Sequence, residues 1–176
     1  MILLDLDYFN TLFSLAQSNA TDPTIQAYID KYEASYIKRI LGVSLGEKFI
    51  TDVKGEDVDS DEIEARFQIL IDGFVKQNSC GSIYENAGMK ALLASLIYYH
   101  YVTETQVRHT QSGVTLNQAE VSTILTPENA TRQAETKWNQ ALCSIEAIQW
   151  WCGTEDEATY PEYDGIYFRP RYSPLL

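Results

Sequence analysis

The chain has 176 residues, 45% hydrophobic and 22% charged, which suits one folded domain burying about two thirds of its unfolded surface and argues against global disorder. Its formal charge of −12, from 25 acidic and 13 basic residues, argues against an extended nucleic-acid-binding face, which needs clustered Lys and Arg, and against anionic lipid surfaces. No apolar run reaches bilayer length, so no membrane partner is expected.

The first residues, Met1 to Asp7, lack the basic residues and sustained apolar stretch of a secretory leader, and none is expected. After Asp7, residues Phe9, Leu12, Phe13 and Ala16 fall at helical spacing and predict a short first helix. Asp22-Pro23 then places a capping side chain before a proline suited to the first helical position. Ile25, Tyr28, Ile29, Tyr32, Tyr36, Ile37 and Ile40 follow on a 3.6-residue period, and Gly42 supplies the stop. Ser44 and Glu47 have the spacing of a capping box and predict another short helix through Phe49 and Val53.

An acidic stretch follows, from Asp52 to Glu64. Its Asp57, Asp59 and Asp61 imitate the opening of a calcium loop, but Glu62 stands where the sharp turn needs glycine and Gln68 where a bidentate glutamate belongs. Ser60 is placed to cap a helix carrying Ile63, Phe67, Leu70, Ile71 and Phe74, with acidic residues suiting the positive end of its dipole. Residues 77–82 form a turn cluster. The next predicted helix runs from Glu85 to Thr105 and is apolar on more than one side. Leu92, Leu93, Leu96, Ile97 and His100 lie on one face, with Ala87, Ala91, Ala94, Ser95 and Tyr98 opposite, so this helix is expected at the centre of a bundle.

Between this helix and the last lies a polar arm, residues 108–126, with no hydrophobic run able to form its own core. Loops of that length are uncommon unless they carry function or are disordered. Ser112-Gly113 predicts a tight hairpin turn within it. Thr126-Pro127 opens the final helix, which carries Trp138, Leu142, Ile145 and Ile148 and closes near Cys152-Gly153. From Thr154 the chain is an extended tail with Pro161, Pro170 and Pro174, rich in Tyr and Arg, the residue types enriched at interface hot spots. The expected fold is mainly α: a bundle of five to six helices spanning residues 1–153, the arm between its last two long helices, and a separate tail over 154–176.

No catalytic constellation emerges. Nucleophile elbow, phosphate loop, zinc-binding helix and paired cysteine ligands are all missing from the sequence. Cys80, Cys143 and Cys152 are expected as reduced structural thiols. Of the two histidines, His100 reads as a hydrogen-bonded core or interface residue and His109 as a surface residue. No enzyme, catalytic residue, cofactor or metal is therefore expected, and the Asp57–Asp61 stretch stays open only as a weak metal alternative.

The order of the pieces resembles the head–tail connector proteins (adaptor, or head-completion proteins) of tailed bacteriophages, most closely those of phages of Bacteroidetes-type hosts. The residues carrying the resemblance are Ile25–Gly42 with Leu45 and Phe49; Tyr84 with Gly88–Leu93; Tyr98–Val102; and, in the arm, Thr110–Val114 with Ala119–Ser122. Together they lie between Ile25 and Trp151, and the tail falls outside them. The resemblance implies a structural virion protein assembled in the host cytoplasm. Such a protein forms a ring, typically twelvefold, at the portal vertex and links the portal to the next tail component. DNA passes through its channel without sequence-specific binding. On this reading the inter-subunit or portal contacts come from Arg108, Thr110, Gly113, Val114, Glu120 and Ser122 of the arm. The tail adds Tyr160, Tyr163, Tyr167, Phe168, Arg169, Arg171 and Tyr172. The alternative is a helical adaptor that forms no ring and binds a protein partner through its Tyr-rich tail.

Overall fold

The computed structural model describes residues 2–13, 23–55, 63–105, 107–110, 113–116, 127–155, 158–165 and 168. The protein is mainly helical. In chain order come α1 (Leu6–Phe13), α2 (Pro23–Leu41), α3 (Val43–Val53), α4 (Ala65–Asp72), strands β1 (Phe74–Gln77) and β2 (Ile83–Asn86), α5 (Met89–Thr105), strands β3 (Val107–Thr110) and β4 (Gly113–Leu116), and α6 (Pro127–Trp150). A π-helical turn, Trp151–Glu155, continues α6.

Helix α5 is central, as its two apolar faces imply. It packs against α2, α4 and α6, and Met89, Leu92, Leu93, Ala94, Leu96, Ile97, Tyr98 and Val102 are all buried. Short residues at Ala91, Ala94 and Ser95 leave room for neighbouring helices to approach closely. α1 is seated on the same helix by aromatic contacts, Phe13 stacking on Tyr98 at 4.1 Å with Phe9 tilted beside both. The cap of α1 is Asp5, whose Oδ1 accepts the Tyr8 N–H at 2.6 Å.

The segment before α1 is held by a buried carboxylate. Glu33 of α2, only 2% exposed, accepts the backbone N–H groups of Ile2 (2.8 Å), Leu3 (2.7 Å) and Leu4 (2.7 Å). One anion thus satisfies three donors of a chain segment that has no ladder of its own. A second carboxylate closes the acidic stretch: Asp52 of α3, nearly buried, accepts the Glu64 N–H at 3.0 Å where α4 begins.

Several sequence expectations are corrected. The Ser44/Glu47 capping box does not form, because α3 begins at Val43 with Gly42 as its cap residue and no side-chain cap bond. Gly42 has φ +82, and a Cβ there would run into the Asp164 carboxylate of the tail, so this corner is glycine by necessity. The helix expected from Ile63 through Phe74 spans only Ala65–Asp72, ended by Gly73 at φ +91, where a Cβ would strike the Asn86 carbonyl. Phe74 instead begins β1, and Glu85, expected in the central helix, lies in β2. The residues 77–82 are thus the turn of a β-hairpin that pairs Phe74 with Asn86 and Gln77 with Ile83. Asn86, buried, fixes the exit of that hairpin by donating to the Leu70 carbonyl and accepting the Gly88 N–H. Asp22, Ser60 and the Asp57–Asp61 stretch lie outside the described residues.

Replacing Glu33 by Ala should cost about 3 kcal/mol, because it strands donors in a dry site. Glu33→Gln, which keeps one acceptor oxygen, should cost less. Urea unfolding midpoints of the three proteins give this order, and equal midpoints for wild type and Glu33→Ala would contradict it.

Candidate interaction site

The arm and the tail are the segments to which sequence assigned contacts, and the structure treats them differently. The arm contains the expected hairpin. β3 and β4 pair antiparallel with Val107 opposite Leu116, Arg108 opposite Thr115, His109 opposite Val114 and Thr110 opposite Gly113. Arg108, Thr110, Gly113 and Val114 are therefore brought together on one ribbon, while Glu120 and Ser122 lie outside the described residues. The ribbon follows directly from the end of α5, and β3 stays close to the last turn of that helix.

At the root of the arm a polar and aromatic cluster joins α5 to α2. The Tyr28, Tyr32 and Tyr36 spacing puts one ring per turn on the α2 face that meets α5. Tyr36 lies 2.6 Å from His100 Nε2, Tyr32 stacks on the imidazole at 4.3 Å, and Trp138 of α6 meets it edge-on at 6.1 Å. His100 Nδ1 faces Glu104 Oε1 at 3.4 Å, which favours the tautomer protonated on Nδ1 and leaves Nε2 to accept the Tyr36 hydroxyl. Glu104 also accepts from Tyr32 at 2.7 Å and lies 3.6 Å from the Lys31 ammonium. Burial pushes Tyr36 up to about 12. Burial likewise lowers His100, outweighing the opposing pull of Glu104. For Glu104, burial acts upward but is overcome by the tyrosine hydroxyls and Lys31, so its carboxyl stays below the usual range.

A Tyr–His–Glu set has the composition of acid–base machinery, but here both imidazole nitrogens are engaged and the ring is covered by Tyr32. Among the described residues, two cavities lie away from this cluster. The larger, about 560 Å³ between the N-terminal segment, α4 and the start of α5, is lined by Ile2, Tyr8, Ile71, Asp72 and Lys90 among others, with no converging catalytic set. The smaller lies between α5 and α6 and is lined by Ala91, Ser95, Lys137 and Ser144 among others. Among the described residues no group of His, Cys, Asp or Glu is arranged to hold a metal ion. The cluster therefore acts as a clamp between the last turns of α5 and its neighbours α2 and α6, just before the arm begins.

The tail does not extend away from the bundle where it is described. Tyr160 is fully buried within its own core and donates to the Arg66 carbonyl at 2.7 Å, which replaces the expected inter-subunit contact at this residue by an intrachain one. Glu162 accepts from Lys48 (2.7 Å) and Arg66 (2.8 Å), and Arg66 also donates to the Thr159 carbonyl. Burial pushes the Glu162 carboxyl up, but the two cations outweigh it and hold it at about 2. Tyr163 is half-buried against the core. Phe168 lies against Tyr36 (6.2 Å) under the Arg39 guanidinium (5.1 Å), and its carbonyl accepts from Gln149. Tyr167, Arg169, Arg171 and Tyr172 lie outside the described residues. The core residues Leu92, Leu93, Leu96 and Ile97 are buried as expected, and His100 is half-buried in the clamp.

Sequence reading missed Arg66, Glu162 and Glu33. Each is engaged by a partner between 29 and 114 residues away, so no local pattern marks it. The fold class these features define is an all-α bundle carrying two small antiparallel ribbons. No protein-family model, curated protein or solved structure matches this chain. No helix among the described residues is long and apolar enough to cross a membrane.

Two pH dependences follow. Because His100 is held neutral in the fold, protonation favours the unfolded chain, so its contribution is lost as pH falls through about 6.5. The drop in urea midpoint between pH 7.5 and 5 should be smaller in His100→Gln than in wild type; an equal drop would refute the clamp. Glu162 acts in a lower window. Its depressed carboxyl stabilises the fold fully above about pH 4.5, and that contribution fades as pH falls toward 2. The gap between wild type and Glu162→Gln should be about 1–2 kcal/mol at pH 6 and should close across that window.

Proposed function

We propose that this protein is a structural subunit of a tailed-phage virion, forming a ring, twelvefold as in the proteins it resembles, at the portal vertex. There it links the portal protein to the next tail component and extends the DNA channel. The observation that carries the reading is the β3–β4 ribbon, a two-stranded arm set between the last two long helices and rooted on a rigid clamp. Two-stranded ribbons gain little from themselves in water, so an arm of this kind is stabilised by what it touches. Its position coincides with the arm residues that carry the connector resemblance, Thr110–Val114.

Electrostatics supports the same role. A channel through which DNA slides needs walls that do not trap phosphate, and a chain of charge −12 is suited to line one. The ring copies meet through the arm, and the bundle acts as the rigid body. The adaptor alternative is weakened by the tail, because Tyr160, Glu162 and Phe168 are already engaged by their own chain.

Native mass spectrometry at several concentrations, alone and with portal protein, tests this. Ring-sized oligomers or co-assembly with the portal are expected. Replacing residues 107–116 by a short linker should abolish assembly while leaving the helical circular dichroism intact. A strict monomer that ignores the portal protein would overturn the reading.

A further inference from the structure

We infer that the outer edge of β1 is the receptor for an added strand, supplied in the ring by residues 169–176 of a second copy. The proposal rests on the ring reading above and names an interface for it.

The β1 edge is open in a specific way. The Asn78 N–H donates to the Ser82 carbonyl at 2.9 Å, which makes that pair hydrogen-bonded. In an antiparallel ribbon bonded and non-bonded pairs alternate, so Lys76–Tyr84 and Phe74–Asn86 are bonded pairs as well. Val75 and Gln77 on β1 therefore turn their backbone N–H and C=O groups away from β2. Their side chains, with Ile83 and Glu85, take the outward face, and Val75 is 65% and Ile83 70% exposed. The inner face is sealed: Tyr84 stacks on Trp150 at 4.1 Å, and Lys76 covers Trp151. Among the described residues the sheet has two strands, and α6 packs against β2, so β1 is the edge left for pairing.

The occupant follows from where the described tail ends and from its sequence. Phe168 is fixed by Gln149, one residue from the Trp150 that carries the ribbon, and eight residues follow, Arg-Pro-Arg-Tyr-Ser-Pro-Leu-Leu, about 26 Å when extended. Both prolines, Pro170 and Pro174, stand at even positions. An added strand presents alternate N–H groups to its receptor. With the odd positions 171, 173 and 175 facing β1, both prolines fall on the side that needs no donor, the placement an edge strand tolerates. The same register puts Arg169 and Arg171 on the face of Glu85, and Leu175 on the face of Val75 and Ile83. This segment has two cations and no acidic side chain, in a chain otherwise strongly acidic. Each copy then offers one edge and one strand, a head-to-tail contact of the kind that closes rings.

The test uses the position of the prolines. In the full-length assembled protein, the Val75 and Gln77 amides should exchange slowly with solvent, and in dilute protein they should exchange fast. Ser173→Pro removes an inward donor and should weaken assembly about tenfold, the worth of one backbone hydrogen bond, and should lose the protection. Tyr172→Pro, on the outward side, should preserve both. Identical behaviour of the two variants overturns the proposal, as does protection of Val75 and Gln77 that does not depend on concentration. Assembly with both amides unprotected overturns it too, while leaving the ring reading intact. A chain that stays monomeric with portal protein present overturns both.

Discussion

Helix α5 has no side to give to solvent along most of its length, and this constraint organises the molecule. From Met89 to Tyr98 seven of ten residues are buried and the other three, Lys90, Ala91 and Ser95, are half-buried, which demands neighbours on nearly every side. α2 and α6 supply two walls, α4 a third contact, and α1 with its Phe9 and Phe13 closes over Tyr98. Burying one such Leu or Ile side chain stabilises the fold by about 1.5–3 kcal/mol, so this helix dominates the hydrophobic gain. Only in its last turns does α5 change character. There Tyr99, His100, Tyr101 and Glu104 are part-exposed or exposed, and the contact with α2 passes from oil to hydrogen bonds and stacked rings. Hydrogen bonds are directional where apolar contact is not, and this is the point at which the chain leaves the bundle as the arm.

The same economy governs charge. A chain with nearly twice as many acids as bases could be destabilised by self-repulsion, yet several of its cations sit at joints between distant segments. Arg66 ties α4 to the tail through Glu162 and the Thr159 carbonyl, Lys48 meets the same carboxylate from α3, and Arg39 covers Phe168. Where no cation is at hand, backbone donors serve instead, three on Glu33 and one on Asp52. Acidic residues thus act as organisers of main chain as well as surface charge.

What sequence could reveal divides along the range of the interactions. Helices α2, α5 and α6 were legible because their apolar residues recur on the helical period over three turns or more, and the arm because its polarity breaks that period. β1 and β2 were not. Four residues each give too short an alternation, and Ile83 and Glu85 run smoothly into the pattern of α5. The available signal was Gly73 and Gly88, both at positive φ, bracketing two short β-branched or aromatic stretches around an Asn-Ser-Cys-Gly turn. The tail was misjudged at Tyr160 for a related reason. A tyrosine in a proline-interrupted segment carries no period, and only the Arg66 carbonyl, 94 residues away, shows that its hydroxyl belongs inside.

The two ribbons are built alike and supported unequally, and that difference bears on what each can do. β1–β2 lies on the indoles at the end of α6, with Tyr84 on Trp150 and Phe74 beside Trp151, so its inner face is fixed before any partner arrives. As the receptor proposed for it, this ribbon would be preformed, and a strand added to it would lose freedom on one side of the contact only. β3–β4 follows directly from α5, and its pairing is four residues long. Such a ribbon has most to gain from a surface supplied by another molecule. A subunit with such a proposed receptor at one place and a proposed contact arm at another would be asymmetric. Asymmetric contacts repeat around a ring rather than close in a pair, which joins the fold to the assembly proposed for it.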